Sequence, residues 1–168
     1  MRRAIYLLAL GAVAIGWLGG RASAQVKPAS AFDRLKTLAG AWQAEIPQGG
    51  TVINTIRLVS NGTALEEISQ GAEHDQMVTL YTPDGNRLAI THYCSAGNQP
   101  RMETPAVTAD QNEFDFSFTG ITNLASPNAG HMRHLVVRIA DQDHFTEQWT
   151  WRENGKDLSH TLHFHRSK

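Results

Sequence analysis

His92 and Cys94 stand two positions apart in the run GNRLAITHYCSAGNQPRM (residues 85–102). On an extended strand that spacing puts both side chains on one face, about 7 Å apart. The distance is too long for direct activation of the thiol, so nucleophilic chemistry would need a base from a facing strand. Cys94 is the only cysteine of the chain and cannot form an internal disulfide; burial is the commonest fate of such a thiol. Further on, Glu147 alternates with Phe145, Trp149 and Trp151, and His160 alternates with Leu158, Leu162 and Phe164. His92, Glu147 and His160 converging with Cys94 offer zinc or iron a donor set. Glu147 with either imidazole offers an acid and a base. None of these residues has the close spacing of known metal motifs, so the sequence assigns no metal ligand, cofactor or catalytic residue. The plain alternative is that each hydrogen-bonds another polar group inside a core.

Two further features bear on binding. In the run Gly97-Asn98-Gln99-Pro100-Arg101-Met102, Gly97 and Pro100 serve a turn, and Asn98 can cap it. Gln99 and Arg101 are not required by the geometry; at a pocket mouth they can orient a carboxylate or carbonyl, and otherwise they sit in a solvated loop. Trp149 and Trp151, facing inward, supply rigid walls for a flat or greasy ligand, or plain core. The tail HTLHFHR puts His163 and His165 on the side opposite His160, where weak surface metal affinity would carry no function.

The elements that must position these groups are mostly strands. Residues 1–24 read as a secretory signal: Arg2 and Arg3, an apolar run from Ala4 to Leu18, and the cleavage pattern Ala22-Ser23-Ala24. Residues 25–29 form a linker. Ser30, with Asp33 three residues on, predicts a capped helix whose stripe is Phe32, Leu35 and Leu38, with Gly40 as its stop. From Trp42 onward the pattern has period two. Strands are predicted at 41–46, 51–59, 63–69, 76–81, 86–94, 100–104, 113–119, 132–140, 143–152 and 156–166. Turns fall at Gln48-Gly49-Gly50, Asn61-Gly62, Pro83-Asp84-Gly85-Asn86 and Glu153-Asn154-Gly155. One long connection, 120–130, carries a helical turn at 121–125. The fold class is therefore all-β: an antiparallel meander of about ten strands in one domain, 30–168, closed as a barrel because closure removes exposed edges. Parity places Phe114, Phe116 and Phe118 on one face. It places Leu135, Val137 and Ile139 on another, together with His131 and Arg133.

The chain carries 15 Lys and Arg against 16 Asp and Glu. Without residues 1–24, which hold Arg2, Arg3 and Arg21 and no acid, 12 bases face 16 acids and the formal charge is −4. That balance, with no basic run, argues against nucleic acid as a partner. The apolar run is short and interrupted by Gly11, Gly16, Gly19 and Gly20, which argues against stable membrane insertion once the signal is cleaved.

The run LKTLAGAWQ resembles the calycin (lipocalin-like) pattern, and Arg166 in HFHR matches the basic residue that packs on the barrel-floor Trp in that superfamily. The run HDQMVTLYTPDGNRLAITHYCSAGNQPRM is similar to uncharacterised bacterial secreted proteins with a lipocalin-like domain. A fainter likeness, to nitrobindin-type haem barrels, makes His160 the analogue of their haem-side His. The signal-like start and the inward-facing residues together give the leading expectation of an exported barrel, periplasmic or secreted, holding a small, partly apolar ligand. His92, Cys94, Gln99, Arg101, Glu147, Trp149, Trp151 and His160 are its candidate contacts, with walls also from Phe116 and Leu162. The alternatives are a hydrolase or isomerase using His92 and Glu147 in the same pocket, a haem- or metal-binding barrel, and a structural module filled by its own side chains. Oligomeric state and ligand identity are not written in the sequence.

Overall fold

The computed structural model describes residues 30–46, 49–71 and 75–167. The predicted signal and linker, 1–29, lie outside the described residues. Ser30 caps helix α1 (Ala31–Lys36): its Oγ accepts from the Asp33 amide at 3.0 Å and donates to Asp33 Oδ2 at 2.8 Å. This is the acidic capping box expected from the sequence. The helix ends at Thr37, before Gly40. Phe32, Leu35 and Leu38 are all buried. A helix this short is held by packing rather than by its own hydrogen bonds, and its stripe closes one end of the barrel.

Ten strands follow: β1 (Gly40–Glu45), β2 (Thr51–Val59), β3 (Ala64–Gln70), β4 (Gln76–Asp84), β5 (Arg87–Tyr93), β6 (Gln99–Glu103), β7 (Glu113–Thr122), β8 (His131–Ile139), β9 (His144–Glu153) and β10 (Lys156–Arg166). Each pairs antiparallel with the next, and β10 returns to β1 to close the barrel. The seam is registered at Trp42↔Arg166 and Gln43↔His165.

The predicted floor contact is present. Arg166 lies 4.1 Å over the Trp42 ring, and Trp42 Nε1 donates to the Leu38 carbonyl at 2.7 Å. Arg166 also donates to the carbonyls of Ala39, Thr37 and Gln142. Gly40, at φ +144°, sits against this guanidinium, and a Cβ there would collide with it. Above the floor, Phe145 stacks on Phe164 and meets Trp42 edge-on. Phe114, Phe116, Leu135, Val137 and Met102 complete a packed core at the helix end.

Three sequence expectations are corrected. The helical turn expected at 121–125 is absent; β7 runs on through Thr122, and the connection is 123–130. The connection 104–112 between β6 and β7 is longer still. In β8 a bulge between Met132 and His134 inserts one extra residue and inverts the alternation on its N-terminal side. Met132 therefore faces the interior, while Arg133 lies 5.4 Å over Phe118 and His131 packs on the same ring. Finally, Leu158 shares the inward parity of β10 yet is 70% exposed, because β10 at that level is flanked by β9 alone and meets β1 only at His165 and Arg166.

Candidate ligand cavity

The end of the barrel opposite α1 is not filled. A cavity of about 180 Å³ is lined by Ile46 after β1, Val52 on β2, Glu67 and Ser69 on β3 and Gly71 beyond it, Met77 and Thr79 on β4 and His92 on β5. Met132 on β8, Glu147 and Trp149 on β9, and His160 and Leu162 on β10 complete it. These residues cluster where odd strands end and even strands begin, so the cavity opens away from the helix. Its walls are mainly thioether, aliphatic and indole surface.

The polar groups are placed by register. Glu67 stands directly opposite Thr79, and Thr79 directly opposite His92, in a row across β3, β4 and β5. On the far wall, His160 is opposite Trp149 and Leu162 opposite Glu147. Two contacts join the walls through the interior and form the cavity floor. One brings the side chains of Glu67 and Glu147 together. The other sets the His92 ring 4.7 Å from the Trp149 ring, tilted by 44°.

The carboxyl pair is supplied with donors. Asn54 Nδ2 donates to Glu67 Oε1 at 2.7 Å, Tyr81 Oη to Glu67 Oε2 at 2.7 Å, and Trp149 Nε1 to Glu147 Oε2 at 3.0 Å. Burial raises the pKa of both carboxyls, and the neighbouring Glu67 charge raises Glu147 further, well above the usual carboxylate range. Burial and the mutual repulsion of the two groups thus favour the protonated form, in which one carboxyl donates to the other. Tyr81 is pushed up as well, by burial first and then by the two carboxylates.

His92 is 3% exposed. Its Nδ1 and Thr79 Oγ1 are 2.9 Å apart in a hydrogen bond, and its Nε2 has no protein partner. Burial lowers its pKa to about 4, so the ring is neutral at physiological pH. His92 and Glu147 thus share the cavity without pairing, and the direct acid–base couple raised from sequence is not formed. His160 sits at the cavity mouth with part of its surface in solvent; partial burial lowers its pKa too.

Of the residues singled out from sequence, His92, Glu147, Trp149, His160 and Leu162 come together here. The others do not. β5 stops at Tyr93, and Cys94 opens a turn in which its carbonyl accepts from the Gly97 amide. It is half-buried, and burial raises its pKa, the opposite of an activated thiol. Pro100 and Met102 point inward on β6, which turns Gln99 and Arg101 to the outer wall. There Gln99 bonds to Gly97 and Thr122, and Arg101 lies against Gly120. Trp151 packs on Gly130, and Phe116 belongs to the core below. Asn98, expected to cap its own turn, is buried and donates to the Gly130 carbonyl instead. Sequence reasoning missed Asn54, Glu67, Thr79 and Tyr81. Among the described residues, no group of three or more His, Cys, Asp or Glu side chains is placed to hold a metal ion. No protein-family model matches the chain, and a comparison with curated proteins finds no match.

Proposed function

We propose that the mature chain is an exported, lipocalin-like barrel that holds one small, partly apolar molecule in this cavity. The reading is carried by one observation: the barrel is packed solid at the helix end and open-cored at the other, with polar groups gathered on the floor of the open half. A barrel of this size either fills its interior with side chains or accommodates a single small ligand. About 180 Å³ exceeds the roughly 150 Å³ that suffices for a benzene-sized guest. Export rests on the signal-like residues 1–24. An enzymatic use of the pocket has less support, because the carboxyl oxygens are engaged with Asn54, Tyr81 and Trp149, and His92 does not reach Glu147.

Xenon binding to the crystalline protein tests the cavity itself. Under xenon pressure, a difference peak is expected between Trp149, Met132 and Leu162. Crystals that take up no xenon there, with side chains filling the space, would remove the basis for a ligand.

A further inference from the structure

The polar chemistry available to a guest in this cavity reduces to very few positions. Asn54, Tyr81 and Trp149 already donate to the Glu67–Glu147 pair, and the two carboxyls meet each other. Thr79 is spent on His92 Nδ1. Ser69 and His160 also line the space but reach solvent, and Asn54 Oδ1, likewise unpartnered, is not on the lining; His92 Nε2 is the buried polar atom of the described lining that has no partner. An unmade hydrogen bond at such a site destabilises the protein, and a guest that completes it recovers that loss.

Charge narrows the guest further. The described lining residues include no Lys or Arg; the ionisable groups facing the space are Glu67, Glu147, His92 and His160. An anion would lose its hydration and meet carboxyls without a counter-charge. A cation would have to displace donors the carboxyl pair already has, between walls of Met77, Met132, Val52 and Leu162. Size allows about one ring with a small substituent.

We propose that the cavity selects a compact, uncharged, mostly apolar molecule of about one ring, whose hydroxyl-type group hydrogen-bonds to His92 Nε2. This deepens the ligand-binding reading and rests on it. A hydroxyl fits either tautomer of His92, since it donates to a bare nitrogen and accepts from a protonated one.

The test is calorimetric titration of the folded protein at pH 7.5 with phenol, toluene, benzoate and benzylamine, repeated on His92→Phe. Toluene is the more hydrophobic of the two neutral probes, so shape and burial alone favour it. The expected result is that phenol binds roughly 5-fold more tightly than toluene, that neither ion competes, and that His92→Phe reverses the phenol–toluene order while keeping toluene. Toluene equal to or tighter than phenol in the wild type overturns the proposal and leaves the cavity a ligand site. Tightest binding by benzoate or benzylamine overturns it as well. If no probe binds, the ligand-binding reading falls with it. Should His92→Phe not fold, the wild-type imidazole nitrogen resonances decide: phenol is expected to shift His92 Nε2 and toluene not, and an unmoved resonance under saturating phenol overturns the assignment.

Discussion

His92 is held neutral by burial, and this ties stability to pH. Its pKa falls from 6.5 to about 4 on folding, so between those values the unfolded chain binds more protons than the folded one. Stability therefore rises with pH through that window and is lost as pH falls from about 6.5 toward 4. The amount at stake is about 3 kcal/mol, from 1.36 kcal/mol per pKa unit. Urea unfolding at pH 7 and pH 4 is expected to show wild type losing about that much more than His92→Phe; equal losses would mean the ring is not desolvated. Glu147 works in the opposite sense. Its raised pKa means the folded state retains a proton that the unfolded chain releases, so its contribution is lost as pH rises above the ordinary carboxylate range. Glu147→Gln keeps an acceptor for Trp149 and a donor for Glu67 without titrating. Its melting temperature is expected to gain on wild type as pH rises above the ordinary carboxylate range, and a constant difference would argue against a protonated Glu147 in the folded state. At this scale the sequence was half legible. Strict alternation put Leu88, Ile90 and His92 on one inward face, and Glu147 with Trp149 on another. Glu67 stayed hidden because ALEEISQ reads equally well in both parities, Leu65 with Glu67 or Glu66 with Ile68. Only Asn54, Tyr81 and Glu147, each on a different strand, decide it.

Element boundaries explain which candidate residues missed the cavity. Cys94 lay on an inward face only if β5 reached residue 94, but the turn closed by Gly97 stops the strand at Tyr93. Arg133 lay inward only if β8 was regular, and the bulge beside it put Met132 in the cavity wall instead. A bulge leaves no mark in a sequence that alternates on both sides of it, so this was not readable in advance. The floor was readable, because Gly40, Trp42 and Arg166 require one another: the missing Cβ admits the guanidinium, and the guanidinium covers the indole. Arg166 joins β10 to the end of α1 and to the β8–β9 turn through three carbonyls. Arg166→Ala is expected to cost roughly 3 kcal/mol of unfolding free energy, from the lost cation–π contact and those hydrogen bonds. Urea titration measures this, and a cost under 1 kcal/mol would show that the helix plug is held by its apolar stripe alone.

For the whole molecule, closure is what turns a meander into a container. β9 and β10 pair without interruption from Lys156↔Glu153 to His165↔His144, whereas β1 and β10 meet only at Trp42↔Arg166 and Gln43↔His165. The seam also joins the two ends of the domain, so it carries the largest loop-closure entropy. Hydrogen exchange is expected to show the Gln43 amide, which faces β10, exchanging ahead of those at the centre of β9. Uniform protection around the ring would mean that the barrel opens only by global unfolding. The class of fold and its closure followed from period-two patterning and turn residues alone. The cavity did not, because an empty space is set by the sizes of side chains on six or more strands at once. Occupancy of this space in the native protein is tested most directly by native mass spectrometry of material recovered from its natural host. A reproducible added mass of a small neutral molecule, lost on denaturation, is the expected result; the bare polypeptide mass in every gentle preparation would contradict it.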